Sequence, residues 1–451
     1  MLSLPRQFLR WLARVLIRRG VVEPFVWLCA LAIRANDPLG DGEVTILALN
    51  TGRFRGDLEC LAQTGKFRVY KVPFYWQARI YLWFYESGDD CFKAGGNPVL
   101  AGRQARCRAF LRRFLARLYD RLGVDLVLGA AVHYRQDYDW GEVSHQIGTP
   151  YVIFHREGNL ASKATQDACR ARGRLWGKFR GTALVLQNDL QRRILIESGF
   201  VGEKNCYVAG VLRMDSLLSA AAAPRPARAV RRQRVVFFSF GPSTGILFGK
   251  PPNWPENPRD FLYEFTRLAH IAVARVAEKR SDIDVVIKPK WGGRWSESIR
   301  GILSEEGIDI DRVPNLSIDA DANVHALLQE TDVAIGFNST TLLEAAIMGL
   351  PVILPVFAEI AEPRWHDQLM FADELDCFDV ARSPEELQQL VENRLTSPEI
   401  DSEVQRRRRS VFEKYVSKLD GTATERYQNI LLSVLRPVAA GAAAEPMSRP
   451  S

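Results

Sequence analysis

Residues 331–355, TDVAIGFNSTTLLEAAIMGLPVILP, constrain the fold more than any other part of this chain. Two apolar runs flank a polar turn, a helix-forming stretch and Gly349, which together predict a strand–helix–strand unit. The polar turn, residues 338–341, is expected at the start of the helix, where unpaired backbone N–H groups and the helix dipole favour an anion. Glu344 follows one turn later, and its side chain is predicted to face the same position at the start of the helix.

The same alternation of strands and helices runs through most of the chain. Strands are predicted at residues 43–49, 69–72, 125–130, 151–154, 183–187, 206–209, 235–240 and 284–287. Helices are predicted at residues 76–84, 101–122, 139–148, 190–198, 261–279, 296–306, 384–394 and 401–435. Strands that alternate with helices indicate parallel, doubly wound sheets. Residues 219–234, which are rich in Ala, Pro and Arg, break the pattern and are predicted to be a linker.

A chain of 451 residues, 47% of them hydrophobic, can bury two cores. We therefore expect an α/β protein with two Rossmann-like, doubly wound domains that face a cleft. The expected order is a basic helical segment (1–40), a first domain (41–218), the linker (219–234), a second domain (235–375), C-terminal helices that return toward the first domain (376–436) and a disordered tail (437–451).

The N-terminal segment combines arginine with apolar and aromatic residues. Arg6, Arg10, Arg14 and Arg18 recur every four residues and would share one face of a helix. A basic amphipathic helix is typical of proteins that bind an anionic membrane surface, so we expect such contact through residues 1–34. The apolar run 25–33 is too short to span a bilayer. The alternatives are a helix that packs on the protein and a signal peptide.

The net charge and the cysteine content indicate the binding partners and the cellular compartment of the protein. The net charge is +7, and the arginine-rich stretches suit anionic lipid or nucleotide phosphate. The seven cysteines are scattered and form no CxxC pair, which argues against a disulfide framework and a zinc site. We expect a cytoplasmic protein, peripheral on the inner membrane if the N-terminal helix binds lipid, with no metal, no cofactor and no nucleic-acid partner.

Candidate site residues follow the predicted strands. In the second half, Ser243 and Thr244 lie in a loop with two glycines that would let a phosphate approach closely, although the loop matches neither GxGxxG nor a Walker motif. Lys288 and Lys290 follow another strand and could reach a diphosphate as point charges, or they could be ordinary solvent-exposed lysines.

In the first half, residues 155–157 form the clearest candidate cluster for acid/base chemistry. Transfer of a group to a hydroxyl needs a base beside that hydroxyl, and we favour Glu157, then His155. Asp57, in a glycine-rich loop, is the third candidate. The remaining histidines lack carboxylate companions at metal-ligand spacing and are expected to be ordinary; they include His133, His270, His325 and His366.

Four motifs give a family resemblance: PYVIFHREG (150–158), GVLRMD (210–215), NSTTLLEA (338–345) and LDGTATER (419–426). With the two halves, the linker and the C-terminal helices, the chain resembles GT-B-fold glycosyltransferases of bacterial capsule and lipopolysaccharide biosynthesis. The resemblance implies a nucleotide-activated sugar on the second half and a glycan or lipid-linked acceptor facing the first.

The resemblance also implies residue roles. Donor phosphates would contact Asn338, Ser339, Thr340 and Thr341, and the diphosphate would face Ser243 and Thr244. Glu344 would bind ribose or sugar hydroxyls, and Glu157 would be the base. Charge on the leaving phosphate would be stabilised by N–H groups and by Lys288 or Lys290 without a metal.

Two other readings stay open. One is another enzyme of the same fold, either a non-hydrolysing UDP-sugar 2-epimerase or a glycerophosphate-type transferase. The epimerases carry a Ser-Gly-Gly-type turn where this chain has residues 337–340, FNST, and the glycerophosphate transferases show histidine motifs that are missing here. The other reading is a non-catalytic protein of a polysaccharide-assembly complex.

Overall fold

Two parallel six-stranded sheets form the framework of the computed structural model, which describes residues 15–17, 19–222, 231–242, 262–290 and 293–435. The first sheet has the strand order β2-β1-β3-β4-β5-β6 and contains β1 (Val44–Ala48), β2 (Phe67–Lys71), β3 (Leu126–Gly129), β4 (Tyr151–Phe154), β5 (Ala183–Leu186) and β6 (Cys206–Val208). The second has the order β12-β11-β10-β7-β8-β9 and contains β7 (Arg234–Ser239), β8 (Asp284–Pro289), β9 (Leu316–Ile318), β10 (Val333–Gly336), β11 (Val352–Pro355) and β12 (Asp379–Ala381). The predicted two-domain α/β fold is thereby confirmed.

Helices connect the strands and cover both sheets. Those of the first half are α1 (Glu23–Arg34), α2 (Arg55–Ala62), α3 (Phe74–Phe84), α4 (Pro98–Leu122), α5 (Arg135–Gln146), α6 (Lys163–Trp176), α7 (Asp189–Glu197) and α8 (Met214–Ala222). The later ones are α9 (Tyr263–Lys279), α10 (Arg294–Glu305), α11 (Val324–Gln329), α12 (Thr341–Ile347), α13 (Pro384–Thr396), α14 (Ser402–Tyr415) and α15 (Ala423–Leu435).

The strands form where the chain has short, continuous apolar runs. Every residue of β4 and of β10 is buried, as expected for parallel strands that are covered by helices on both faces. The helices begin and end at recognisable signals. Asn97 caps α4 by accepting hydrogen bonds from the backbone N–H groups of Val99 and Leu100, and Gly123 ends this helix in the left-handed conformation.

The strand order places the functional edge of each sheet. In the first sheet the order reverses between β1 and β3, and in the second it reverses between β7 and β10. Loops that leave neighbouring strands at such a point run in opposite directions and leave a crevice at the carboxyl ends of the strands, where α/β proteins bind their ligands. The loops to inspect are therefore those after β1, β3, β7 and β10.

The two halves share one hydrophobic core. Leu160 and Ala161, which follow β4, pack into the same cluster as Phe371 of the second half. The backbone N–H of Phe371 donates to the carbonyl of Ala161 at 2.9 Å, and the Asn188 amide donates to the carbonyl of Tyr415 at 2.9 Å. The loop after β4 in the first half therefore lies against the loops after β11 in the second.

The C-terminal helix α15 joins the first half, where it contacts α2 and α8. The Asp215 carboxylate accepts hydrogen bonds from the backbone N–H groups of Ala423 (3.1 Å) and Thr424 (2.7 Å), so it caps α15 from another part of the chain. The Tyr427 hydroxyl donates to the carbonyl of Gly210 at 3.0 Å. The GVLRMD and LDGTATER motifs therefore form one structural joint.

Several predicted elements need correction. The single helix expected over 401–435 is two helices, because Gly421 takes a left-handed conformation (φ 68°) and the chain turns between them. The predicted linker, residues 219–234, is helical up to Ala222 and already part of β7 at Arg234. Five elements were not predicted: α6, α8, β9, α11 and β12. Residues 1–14, Arg18 and the tail from 436 onward lie outside the described residues, as do most of the linker and the predictions made for them.

Two further findings concern membrane-spanning helices and cysteine pairing. Within the described parts of the chain, no helix is long and apolar enough to cross a membrane. All seven cysteines are free thiols.

Candidate active site

Glu344 connects the two halves of the molecule. It lies on α12, which follows β10, and its carboxylate is 3% exposed. Its Oε1 lies 3.6 Å from Nη2 of Arg213, which follows β6 in the first half, and its Oε2 lies 3.2 Å from Nε2 of His325. Because a buried carboxylate needs partners, this triad fixes the acidic group where the second half meets Arg213 of the first. The expectation that His325 is ordinary is wrong, because tertiary packing supplies the carboxylate companion.

The polar segment before α12 divides into two parts. Asn338 is buried in a left-handed conformation (φ 46°), and both ends of its amide are occupied. Its Nδ2 donates to the carbonyl of Gln368 at 3.0 Å, and its Oδ1 accepts from the backbone N–H of Met370 at 2.9 Å. The amide therefore anchors the loop after β11, a structural role that competes with the implied phosphate contact.

The other three members of this segment are half-buried. Ser339 Oγ accepts a hydrogen bond from the backbone N–H of Thr341 at 3.3 Å, and Thr340 precedes the helix without a side-chain cap. Gly349 takes the left-handed conformation (φ 76°) after the helix, as its predicted role in ending the helix requires. Three hydroxyl groups are therefore gathered at the β7–β10 reversal, beside Glu344.

The two lysines after β8 differ in their surroundings. Lys288 is buried, and its ammonium donates to the carbonyls of Pro289 (3.0 Å) and Ala320 (2.8 Å). Burial lowers the pKa of Lys288, and the nearby carboxylates of Asp319 and Asp321 oppose this shift. Lys290 is exposed. Of the two lysines, Lys290 is thus the one whose position suits contact with a ligand.

The loop after β7 is anchored by a buried polar chain. The Trp295 Nε1–H donates to Ser239 Oγ at 3.1 Å, and Ser239 Oγ lies 2.7 Å from Nε2 of His270. Nδ1 of His270 lies 2.7 Å from the carbonyl of Thr266, which can only accept, so this nitrogen carries the proton. Burial lowers the pKa of His270 to about 4, so the ring stays neutral. Ser243 and Thr244, the candidates in this loop, lie outside the described residues.

The three catalytic candidates of the first half have different environments. Glu157 is exposed, and the Tyr134 hydroxyl donates to its Oε1 at 3.5 Å. His155 is buried, its Nδ1 has no hydrogen-bond partner, and burial lowers its pKa to about 3. Asp57 is buried and forms an ion pair with Arg156, whose Nε lies 2.8 Å from Oδ2. Glu157 is therefore the candidate that an acceptor can reach.

A second imidazole, that of His133, lies close to His155. His133, in the loop after β3, has its ring centroid 4.6 Å from that of Tyr134 and 6.1 Å from that of His155. Burial lowers the pKa of His133, while the negative charge of Glu157 opposes the shift. In the sequence His133 has no carboxylate companion at metal-ligand spacing, and the fold brings the charge of Glu157 close to it.

A pocket between the halves has the wrong charge for phosphate. This cavity of about 350 Å³ lies between the start of α6 and the loop after β11. Its wall carries four carboxyl groups against Lys163 and His366, namely those of Asp167, Asp367, Asp373 and Glu374. None of the described candidate residues lines it. An anionic ligand is therefore disfavoured in this pocket.

Comparisons with known proteins bear on the fold. No protein-family model matches the chain, and no curated protein matches it. A candidate UDP-N-acetylglucosamine 2-epimerase from Listeria monocytogenes has a similar structure, with a TM-score of 0.51 and 12% identity over 87% of this chain and 96% of that one. The wall teichoic acid polymerase TagF is similar with a TM-score of 0.50 and 10% identity, over 95% of this chain and 97% of that one. The chain has the GT-B fold.

The candidate residues are divided between the two halves. Glu157 and Tyr134 follow β4 and β3 in the first half, and Glu344 and the three hydroxyl residues follow β10 in the second. Arg213 joins the two halves. Arg213 belongs to a motif quoted for the resemblance, and its position in the loop after β6 was the sequence signal that could have singled it out as a site residue.

Proposed function

We propose that this protein is a glycosyltransferase that moves a sugar from a nucleotide-activated donor to a glycan or lipid-linked acceptor of bacterial surface-polysaccharide synthesis. The observation that carries the proposal is the Arg213–Glu344 contact, which connects the two halves of a GT-B fold. A buried carboxylate at this point suits the hydroxyl groups of a sugar or ribose, each of which can donate a hydrogen bond to it.

The donor would lie on the second half, at the β7–β10 reversal. The hydroxyls of Ser339, Thr340 and Thr341 would bind its phosphate oxygens, and Glu344 would accept from its hydroxyl groups. Two cations stand at the rim, Arg213 from across the cleft and Lys290 after β8. Fixed positive charge beside the departing diphosphate stabilises the charge that develops as the sugar leaves.

The acceptor would lie on the first half, beside Glu157. Its hydroxyl oxygen forms a bond to the anomeric carbon, the bond from that carbon to the diphosphate oxygen breaks, and the hydroxyl proton passes to the Glu157 carboxylate. Both substrates must be held in line for this step, and a cleft with one substrate on each side supplies that positioning. The His133 imidazole, whose pKa is lowered by burial, lies near this base.

The test compares Glu157→Gln with a matched variant, Glu203→Gln, which alters an exposed glutamate elsewhere in the first half. We expect Glu157→Gln to lower the rate of sugar transfer about 10²- to 10⁴-fold, the usual contribution of a general base. Donor affinity should stay within about twofold, and the Glu203→Gln variant should behave like the wild type. Unchanged turnover in Glu157→Gln would refute the assigned base.

The product separates the alternative functions. Transfer yields a sugar joined to the acceptor and a free nucleoside diphosphate in equal amounts. A donor sugar inverted at its second carbon, with the nucleotide still attached, would instead identify a 2-epimerase, and a glycerophosphate product would identify the related transferase. Donor binding without any product would favour the assembly protein.

A further inference from the structure

The first half carries an apolar surface that nothing in the described structure covers. Along α1, the outward face presents Trp27, Leu28 and Leu31, which are 52%, 48% and 46% exposed. Along α3, the outward face presents Phe74, Tyr75 and Leu82, which are 50%, 47% and 59% exposed. We call these six side chains the α1–α3 face. Single exposed apolar residues are common on proteins, but two helices that each expose a row of them mark an interaction site.

The two rows belong to one surface. The opposite face of α1 is buried, and the Phe25 ring lies 5.1 Å from that of Trp83 on α3. Both rings pack against Phe110 of α4, at centroid distances of 6.0 Å each. Because α1 and α3 are fixed side by side on α4 through these rings, their exposed rows flank one aromatic cluster.

The rim of the α1–α3 face is basic. The helix α3 has one charged residue, Arg79, whose guanidinium lies 5.3 Å from the centre of the Tyr75 ring. On the side of α4 that faces α1, Arg113 donates to the carbonyl of Gly20, and Arg117 pairs with Glu23 at 2.7 Å. Arg106 occupies the same side of α4, two turns before Arg113.

The other charges near this surface add little negative potential. Arg34, at the end of α1, is exposed. The acidic groups after α3, Glu86 and Asp89, are both paired with Arg103. Glu23, the one acid of α1, is already paired with Arg117. Two exposed acids also lie here, Asp37 after Arg34 and Asp120 one turn after Arg117 on α4. The four arginines without a carboxylate partner named above, Arg34, Arg79, Arg106 and Arg113, outnumber these two acids, so the net charge at the rim is positive.

We infer that the α1–α3 face docks on an anionic phospholipid bilayer. Tryptophan, tyrosine and leucine side chains of this kind enter the boundary between headgroups and acyl chains, and the flanking arginines reach anionic headgroups. A second copy of the chain fits less well, because a two-fold contact would set one arginine rim against another. The N-terminal residues also fit less well as a cover, because residues 1–22 contain five arginines and no Asp or Glu and would add positive charge to a basic rim.

This inference goes beyond the proposed function and does not depend on it. Docking by the α1–α3 face would set the first half on the lipid surface whatever reaction the cleft carries out. If the proposed transfer is also correct, the acceptor side of the cleft is the side held at the membrane, where the sugar-accepting end of a lipid-linked acceptor lies.

The test is vesicle flotation of the full-length protein with phosphatidylcholine alone and with added phosphatidylglycerol. We expect binding to the anionic vesicles that weakens as salt rises. The paired substitutions Leu28→Ser/Leu31→Ser and Tyr75→Ser/Leu82→Ser should each lower the partition coefficient at least about tenfold, because half-exposed apolar side chains contribute through the area they bury in lipid. The control Leu175→Ser, at an equally exposed leucine of α6, should stay within about twofold.

A second readout does not depend on loss of binding. Brominated lipid should quench the fluorescence of the wild type, and Trp27→Phe should remove part of that quenching while the protein still binds. Because all the altered side chains are exposed, thermal unfolding should be unchanged in every variant. Donor binding is measured on the same samples, so failure of docking can be told apart from failure of the proposed function.

Three outcomes would overturn the inference. The first is that both paired variants bind vesicles like the wild type, while removal of residues 1–14 abolishes binding. The second is that the wild type binds neither vesicle. The third is that the wild type is a dimer which the paired substitutions convert to a monomer, since a second copy would then cover the surface.

Discussion

The contact between Arg213 and Glu344 should make a measurable contribution to stability, because it joins the two halves. At 3.6 Å, two unit charges attract each other by about 1 kcal/mol in water and by about 4–5 kcal/mol at an effective dielectric constant of 20. The carboxylate is buried and the guanidinium is about one-third exposed, so the environment lies between these limits. We expect a coupling free energy of about 1.5–3 kcal/mol.

The assay is a double-mutant cycle in urea unfolding, with Arg213→Met, Glu344→Gln and the double variant. Arg213→Met alone should be the more destabilising single change, because it leaves a buried carboxylate with His325 as its remaining partner. The pair Arg55–Glu59 is the control. Its two groups are closer, at 2.7 Å, but both are exposed, so its coupling should stay below about 0.5 kcal/mol.

The difference between the coupling free energies of the two pairs tests whether the Arg213–Glu344 contact stabilises the fold. If Arg213–Glu344 couples no more strongly than Arg55–Glu59, the contact contributes nothing beyond a surface ion pair. The two halves would then be held by their apolar contacts and by hydrogen bonds such as those of Phe371 and Asn188, and the role given to Arg213 at the donor site would lose its structural basis.

Three further changes test other parts of the structure. Burial raises the pKa of Asp137 to about 8, so its protonated form stabilises the fold at low pH, and this contribution is lost as pH rises from about 4 to 8. Asp137→Asn should flatten the pH dependence of the unfolding free energy measured from pH 5 to 9. An unchanged pH profile in this variant would contradict the shift. Asn338→Ala should cost about 2–4 kcal/mol, because it removes two buried hydrogen bonds and strains a left-handed residue, whereas a loss below 1 kcal/mol would argue against the anchor. Asp215→Ala should cost about 1–2 kcal/mol and increase hydrogen exchange at the start of α15, and unchanged exchange there would rule out the cap.

The strands were the most predictable part of this fold. Parallel strands are covered on both faces, so each appears in the sequence as a short apolar run, and Tyr151–Phe154 was predicted with its observed bounds. Helix α6 was not predicted, because its sequence lacks a recognisable apolar pattern. Of its residues only Thr165 and Gly173 are buried, so it shows no apolar stripe, although Ser162 and Thr165 form a capping box that could have marked its start.

The positions of the candidate residues after strand ends were predictable from the sequence, but their partners were not. Strand ends at a sheet edge can be read from the order of elements, and that reading placed Glu157 and Glu344 on opposite sides of a cleft. Which side chains remain available depends on distant contacts. Asn338 binds the backbone 30 residues later, and Lys288 binds a carbonyl 32 residues later. No local spacing reveals such pairings, and the same holds for His325 with Glu344.

Nucleotide binding is the most direct test of the central claim that the second half holds an activated sugar beside Glu344. Titration calorimetry with UDP, GDP, CDP and CMP should find at least one nucleotide that binds the wild type. Glu344→Gln should weaken binding of the corresponding nucleotide sugar about tenfold or more, while Lys163→Ala, in the acidic pocket between the halves, should leave it unchanged. Absence of binding for every nucleotide, or equal affinity in wild type and Glu344→Gln, would contradict the account.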